Sequence, residues 1–167
     1  MELGSETQKK VVNGYKFLLI RVRCYANFMK IVLLTVGRVR HAAWRELCAD
    51  YLSRLRYYGQ AEAQEVKAAG AGASAKIIAE ESHRLLTVLD PRDKVIVLDE
   101  RGAQISSREL AVCLQEAELR SVKRLIFIIG GAFGVNDAVR ERGRLLELSK
   151  LTFPHQLCRV MAQEQQY

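Results

Sequence analysis

The chain lacks what a metalloprotein, a thiol redox protein or a membrane protein would need. Its four cysteines, Cys24, Cys48, Cys113 and Cys158, stand far apart. There is no CxxC pair and no histidine at ligand spacing, which argues against a zinc site or a redox dithiol. Cys48 and Cys113 fall on apolar helix faces, as free thiols do in a reducing compartment, and a cytoplasmic location is expected. No apolar run approaches the ~20 residues that span a bilayer. Phe17 to Ile20 is the only apolar run in the first 28 residues, and Arg21 and Arg23 interrupt it too early for a signal-peptide core. Repeats and low-complexity tracts are absent. Charge of one sign is modest: of the formal net +7, Met1–Phe28 contributes five Lys and Arg against two Glu, which leaves Met29–Tyr167 at +4. That bias permits a nucleic-acid partner without demanding one.

What is present is enough apolar content, 49% of 167 residues, to build the core of one ordinary domain. The organising stretch is Arg124 to Gln156. Leu125 to Ile129 is an unbroken apolar run that reads as a buried parallel strand, and Gly130 and Gly131 end it and open a loop through Gly134. Asn136 or Asp137 is a plausible N-cap for a short basic helix through Arg142. A second loop, Ser149 to Pro154, leads into a helix toward Tyr167, with Pro154 suited to its first turn. Ligands of open α/β sheets bind beyond the carboxyl ends of strands, so these loops are where a ligand is expected.

The remainder alternates strands and helices. Lys30 to Val36 is a strand closed by Gly37, followed by a loop with Arg38, Arg40 and His41. Trp44, Leu47, Cys48, Tyr51, Leu52 and Leu55 form one apolar helix face. Ala61 to Val66 is a weaker strand, and Gly70 to Ser74 reads as a small-residue connector. Ser74 is expected to cap a helix with a core face of Ile77, Ile78, Leu85, Leu86 and Leu89, which Pro91 ends. Lys94 to Leu98 is a strand running into a glycine-bearing loop, Asp99 to Ile105. Ser106 and Glu109 form a capping box for a helix ending near Leu119. The order predicts an α/β domain over residues 29–167, a mainly parallel sheet with helices on both faces. Residues 1–28 read as an N-terminal extension outside the fold.

The runs IIGGAFG and LSKLTFPHQLCRV, with MKIVLLTVG from Met29 and VIVLDERG from Val95, together resemble the RlmH (YbeA) family of ribosomal RNA pseudouridine methyltransferases, within the SPOUT superfamily. The resemblance covers Met29 to Tyr167. It implies a C-terminal trefoil knot that holds S-adenosyl-L-methionine. The implied cofactor positions are Leu98, Gly130, Leu148, Ser149, Lys150, Leu151, Thr152 and Phe153, with Gly131 and Gly134 shaping the same loop. A side chain at Gly130 is expected to intrude on the cofactor's space. The implied reaction is methylation of N3 of a pseudouridine in large-subunit ribosomal RNA on the assembled ribosome. The implied assembly is a homodimer packed through Leu157, Val160, Met161 and Glu164, and the Gly70 to Ser74 region would lie near the RNA.

The catalytic base stays unassigned, with His155 and Arg159 as the candidates. Family members continue past the tyrosine matched by Tyr167 into a Tyr-His tail, so the chain is expected to be truncated there. The alternative reading is a non-catalytic RNA- or ribosome-binding module. A dinucleotide-binding reading fails on the residues: GGAFG is not G-x-G-x-x-G, and Lys150 stands where a ribose-binding carboxylate is wanted.

Overall fold

The apolar runs become the inner strands of a five-stranded sheet in a computed structural model that describes residues 29–167. The Phe17 to Ile20 run, Arg21, Arg23 and Cys24 lie outside the described residues. In chain order the elements are β1 (Lys30–Val36), α1 (Ala42–Tyr58), β2 (Gln60–Val66), α2 (Ser74–Leu86), β3 (Lys94–Gln104), α3 (Ser107–Leu119), β4 (Arg124–Ile129), α4 (Asp137–Arg140), β5 (Arg144–Glu147) and α5 (His155–Gln166). The strand order is β2-β1-β4-β3-β5, and every pairing is parallel.

A parallel sheet must be covered on both faces, and the inner strands supply two apolar faces by alternation. Val32, Leu34, Val95, Val97, Ile126 and Ile128 face one side with Leu85 of α2 and Val139 of α4. Leu33, Ile96, Leu125, Phe127 and Ile129 face the other with Leu110 of α3 and Ala162 of α5. Each fully buried aliphatic side chain contributes ~1.5–3 kcal/mol, so the two faces hold the strand ends in place.

Register then sets up the site. Thr35 of β1 pairs with Glu65 of β2 and with Ile129 of β4, Ile129 pairs with Leu98 of β3, and Leu98 pairs with Leu146 of β5. These residues form one row across the carboxyl edge. Beyond this row β4 opens directly into a loop at Gly130, β1, β2 and β5 end one residue later, and β3 runs on to Gln104.

Three expectations are corrected, and one strand was missed. The chain after Leu98 is no free loop: β3 continues to Gln104 through a register shift, with Ala103 and Gln104 rejoining Leu146 and Glu147. β5 itself was not legible, because RLLE is too short for a run or an alternation and is fixed by its pairing with β3. Ser74 is the first residue of α2 rather than its cap; Ala73 holds the cap position, without a side-chain bond. The short helix ends at Arg140 rather than Arg142, with Asn136 as the cap accepting from the Val139 amide. By contrast, the Ser106 and Glu109 capping box forms in full. On α1 only Leu55 is buried, and Leu47 stays 42% exposed. On α5 Val160 is buried within the chain itself, while Glu164 is exposed.

Candidate functional site

Three segments leave the carboxyl row side by side. The first follows Ile129. Gly131 and Gly134 make an antiparallel bridge, with the Gly134 amide donating to the Gly131 carbonyl at 3.1 Å, so residues 131–134 form a tight hairpin. Gly134 has φ +78°, a conformation that glycine adopts without strain. Phe133 stands exposed at the tip, and Val135 anchors the base in the core. A Cβ on Gly130 would meet Val135 Cγ1 at 2.7 Å and the Gly134 carbonyl at 2.9 Å. A side chain at Gly130 would therefore deform the hairpin from within.

The second segment follows Leu98. Buried Asp99 accepts from Arg140 Nε at 2.9 Å, and Arg140 also donates to Asp137 at 2.8 Å, which fastens this segment to α4 beyond the hairpin. Gly102 lies against β5 so closely that a Cβ would sit 2.5 Å from the Leu146 nitrogen and 2.6 Å from its Cα. Only glycine allows that backbone crossing. Beside it, a cleft of about 360 Å³ opens between β3, β5, α3 and α5. Leu98, Ile105, Leu146 and Leu148 give it apolar walls, while Ser106, Ser107, Glu147 and Gln165 add polar groups.

The third segment follows Glu147. Ser149 Oγ accepts from the Leu151 amide at 3.0 Å, Lys150, Leu151 and Thr152 are exposed, and Phe153 is half-buried with its carbonyl accepting from the Cys158 thiol at 3.7 Å. Of the ten predicted cofactor residues, Leu98 and Leu148 line the cleft. Gly130, Gly131 and Gly134 build the hairpin against Glu81 and Val135, and Ser149, Lys150, Leu151, Thr152 and Phe153 form the loop after β5; none of these eight lines the cleft.

The first turns of α5 tie this edge together. His155 is hydrogen-bonded to the Gly130 backbone, joining the third segment to the first. Burial lowers its pKa below the ordinary 6.5, and the Arg159 charge lowers it further, against the pull of that hydrogen bond. Both effects favour the neutral ring, and its Nε2 is buried with no protein partner. Gln156 Oε1 accepts from the amides of Arg40 at 3.1 Å and His41 at 3.3 Å, which fixes the β1–α1 loop. Arg159 is 3% exposed. It donates to Glu65 at 2.9 Å, to the Gly37 carbonyl at 2.8 Å and to the Val36 carbonyl, spanning the ends of β1 and β2. Burial lowers its pKa, and Glu65 opposes the shift. Both candidate residues thus hold α5 onto the sheet edge.

Asp99, Gly102, Arg140 and Gln156 were not singled out from sequence as site residues. Asp99 and Gly102 sat within a segment already marked as glycine-bearing, but only the fold reveals their partners, 41 and 44 positions away in Arg140 and Leu146. Among the described residues, no group of three His, Cys, Asp or Glu could hold a metal ion, and no helix is long and apolar enough to cross a membrane.

The carboxyl edge of an all-parallel α/β sheet, here with a partly apolar cleft, is where ligands of open α/β sheets commonly bind. A family model described as "Predicted SPOUT methyltransferase" matches residues 29–167. The chain is also 41% identical over 140 residues to the ribosomal RNA large subunit methyltransferase H of Gloeobacter violaceus, covering 83% of this chain and 91% of that one. It is 42% identical over 136 residues to the protein of the same name from Solidesulfovibrio magneticus, covering 81% and 88%. With the counterpart from Pelobacter propionicus it shares 37% identity over 139 residues, covering 83% and 91%. The chain belongs to the SPOUT methyltransferase family.

Proposed function

We propose that this protein transfers a methyl group from S-adenosyl-L-methionine to N3 of a pseudouridine in large-subunit ribosomal RNA, acting on the assembled ribosome in the cytoplasm. The observation that carries the proposal is the common row from which the Leu98, Gly130 and Leu148 segments depart, beside a cleft within the size range of small-ligand sites. The names of the relatives supply the substrate class.

The residues present fit the cofactor. Leu98, Ile105, Leu146 and Leu148 suit the faces of a purine, and Glu147 suits hydroxyl and amino groups, while Ser106, Ser107 and Gln165 are bonded to Glu109 and to one another. When bound, the cofactor supplies an electrophilic methyl group on a sulfonium centre. The chain's own part is positioning. Arg140 holds Asp99, His155 holds Gly130, and the Gly102 crossing sets the spacing of β3 and β5, so the three segments stay in one geometry from which transfer can proceed. We further propose that these segments thread as the trefoil knot of the family.

The substrate side is basic. Arg38, Arg40, His41 and Lys67 are exposed in the loops after β1 and β2, on the same sheet edge, where phosphates would be met. A charge of only +4 on residues 29–167 gives few phosphate contacts, so a shaped ribosomal surface must supply the remaining affinity. The open α1 face, with Leu47, Tyr57 and Tyr58 exposed beside Tyr167, suits a second copy in a homodimer. Calorimetry with S-adenosylmethionine, followed by labelled methyl transfer to ribosomes and to a short naked RNA helix-loop, tests the proposal. Binding with transfer to ribosomes supports it. Absence of binding, or robust methylation of the short RNA at physiological salt, contradicts it.

A further inference from the structure

Glu81 of α2 is a buried carboxylate, 5% exposed, that none of the foregoing steps uses. Its Oε1 accepts from the Ala69 amide at 3.0 Å, in the β2–α2 loop. Its Oε2 has no protein hydrogen-bond partner and lies against Gly131: a Cβ there would fall on the carboxylate, with the carboxyl carbon at 3.0 Å. The next residue, fully buried Ser82, accepts from the Asn136 amide at 3.0 Å on the far side of the hairpin. One turn of α2 therefore touches both limbs of the glycine hairpin and also holds the loop that carries Lys67, Gly70 and Gly72.

A buried carboxylate oxygen without a donor is costly and calls for a reason. Retaining Glu81 here has a clear mechanical effect. It bonds the β2–α2 loop through Oε1 and lies against Gly131 through Oε2. We infer that Glu81 is a positioning residue that couples the β2–α2 loop to the glycine hairpin, so that ligand occupancy at the hairpin orders the loop facing the RNA. The inference rests on the reading of the hairpin as part of the cofactor site. By linkage, the coupling runs both ways: a ribosomal substrate that orders the loop would strengthen cofactor binding.

Amide hydrogen exchange on the full chain, with and without S-adenosylmethionine, tests this in wild type, Glu81→Gln and Glu81→Ala. In the wild type the cofactor should slow exchange at residues 130–134 and also at 67–73. In Glu81→Ala the Ala69 amide should exchange roughly tenfold faster or more without ligand, since its side-chain acceptor is lost. The cofactor should then protect 130–134 alone. Glu81→Gln keeps an acceptor for Ala69 and should restore its protection, which separates coupling from a general loss of fold. Equal cofactor protection of 67–73 in wild type and Glu81→Ala overturns the coupling, as does wild-type protection confined to 130–134. No protection at either segment in the wild type, with no heat of binding, overturns the cofactor reading and the coupling with it.

Discussion

Replacing Arg159 with Met separates a structural from a catalytic role for a residue that was a candidate for both. The side chain keeps its length and apolar stem but loses every donor. The Val36 and Gly37 carbonyls, at the end of β1, are left without it, at about 1–3 kcal/mol for each buried group that finds no replacement. Glu65 adds little, because its side chain is 37% exposed and rehydrates. The sum, about 2–6 kcal/mol, is a large share of a domain's total of about 5–15 kcal/mol. At a urea slope of about 2 kcal/mol/M, the midpoint should fall by about 2 M. Glu65→Gln should shift it far less. If Arg159→Met unfolds within about 0.5 M of wild type yet abolishes methyl transfer, Arg159 acts at the reacting atoms and the clamp account is refuted.

Further outcomes follow from the same geometry. His155 has a lowered folded-state pKa, so the unfolded chain binds the proton more readily; stability is whole above pH 6.5 and falls as pH drops through that value toward the lower folded pKa. Denaturation midpoints across this range should show a smaller acid loss in His155→Gln, and identical profiles would exclude the buried neutral ring. Gly102→Ala drives a Cβ into the Leu146 backbone, which cannot yield as a side chain can, so a loss of about 3 kcal/mol or more is expected in denaturation, together with weaker cofactor binding. Gly130→Val should distort the hairpin from within and weaken S-adenosylmethionine binding by at least about tenfold, as loss of a properly placed hydrogen-bonding loop does. Equal calorimetric affinity would sink the assignment of the hairpin to the site.

The layers of the fold were legible where local chemistry decides. Leu125 to Ile129 had to be buried because nothing in it tolerates water, and Ser106 with Glu109 closed their capping box because both bonds lie within four residues. The Gly130 to Gly134 loop was legible for the same reason, since glycines next to an apolar run mark a strand end, whereas Asp99 to Ile105 was misread because β3 continues through it. Contacts between distant segments were not. β5 exists because β3 offers it an edge, and the second half of β3 forms only because Gly102 lets it cross Leu146. The apolar spacing of Trp44 to Leu55 was real, but among the described residues α5 and β2 cover that face only in part. A buried charge such as Arg159 is invisible to periodicity, because its cost is offset by two carbonyls and a carboxylate more than ninety positions earlier.

The most direct test of the central claim is methyl transfer from labelled S-adenosylmethionine to ribosomes isolated from cells lacking the modification, with the product nucleoside identified by mass spectrometry. The account predicts one methyl group per ribosome, in the large-subunit RNA, on N3 of a pseudouridine, and no comparable transfer to the same RNA stripped of protein. Label on another base, on the small subunit, or on naked RNA at equal rate would contradict it.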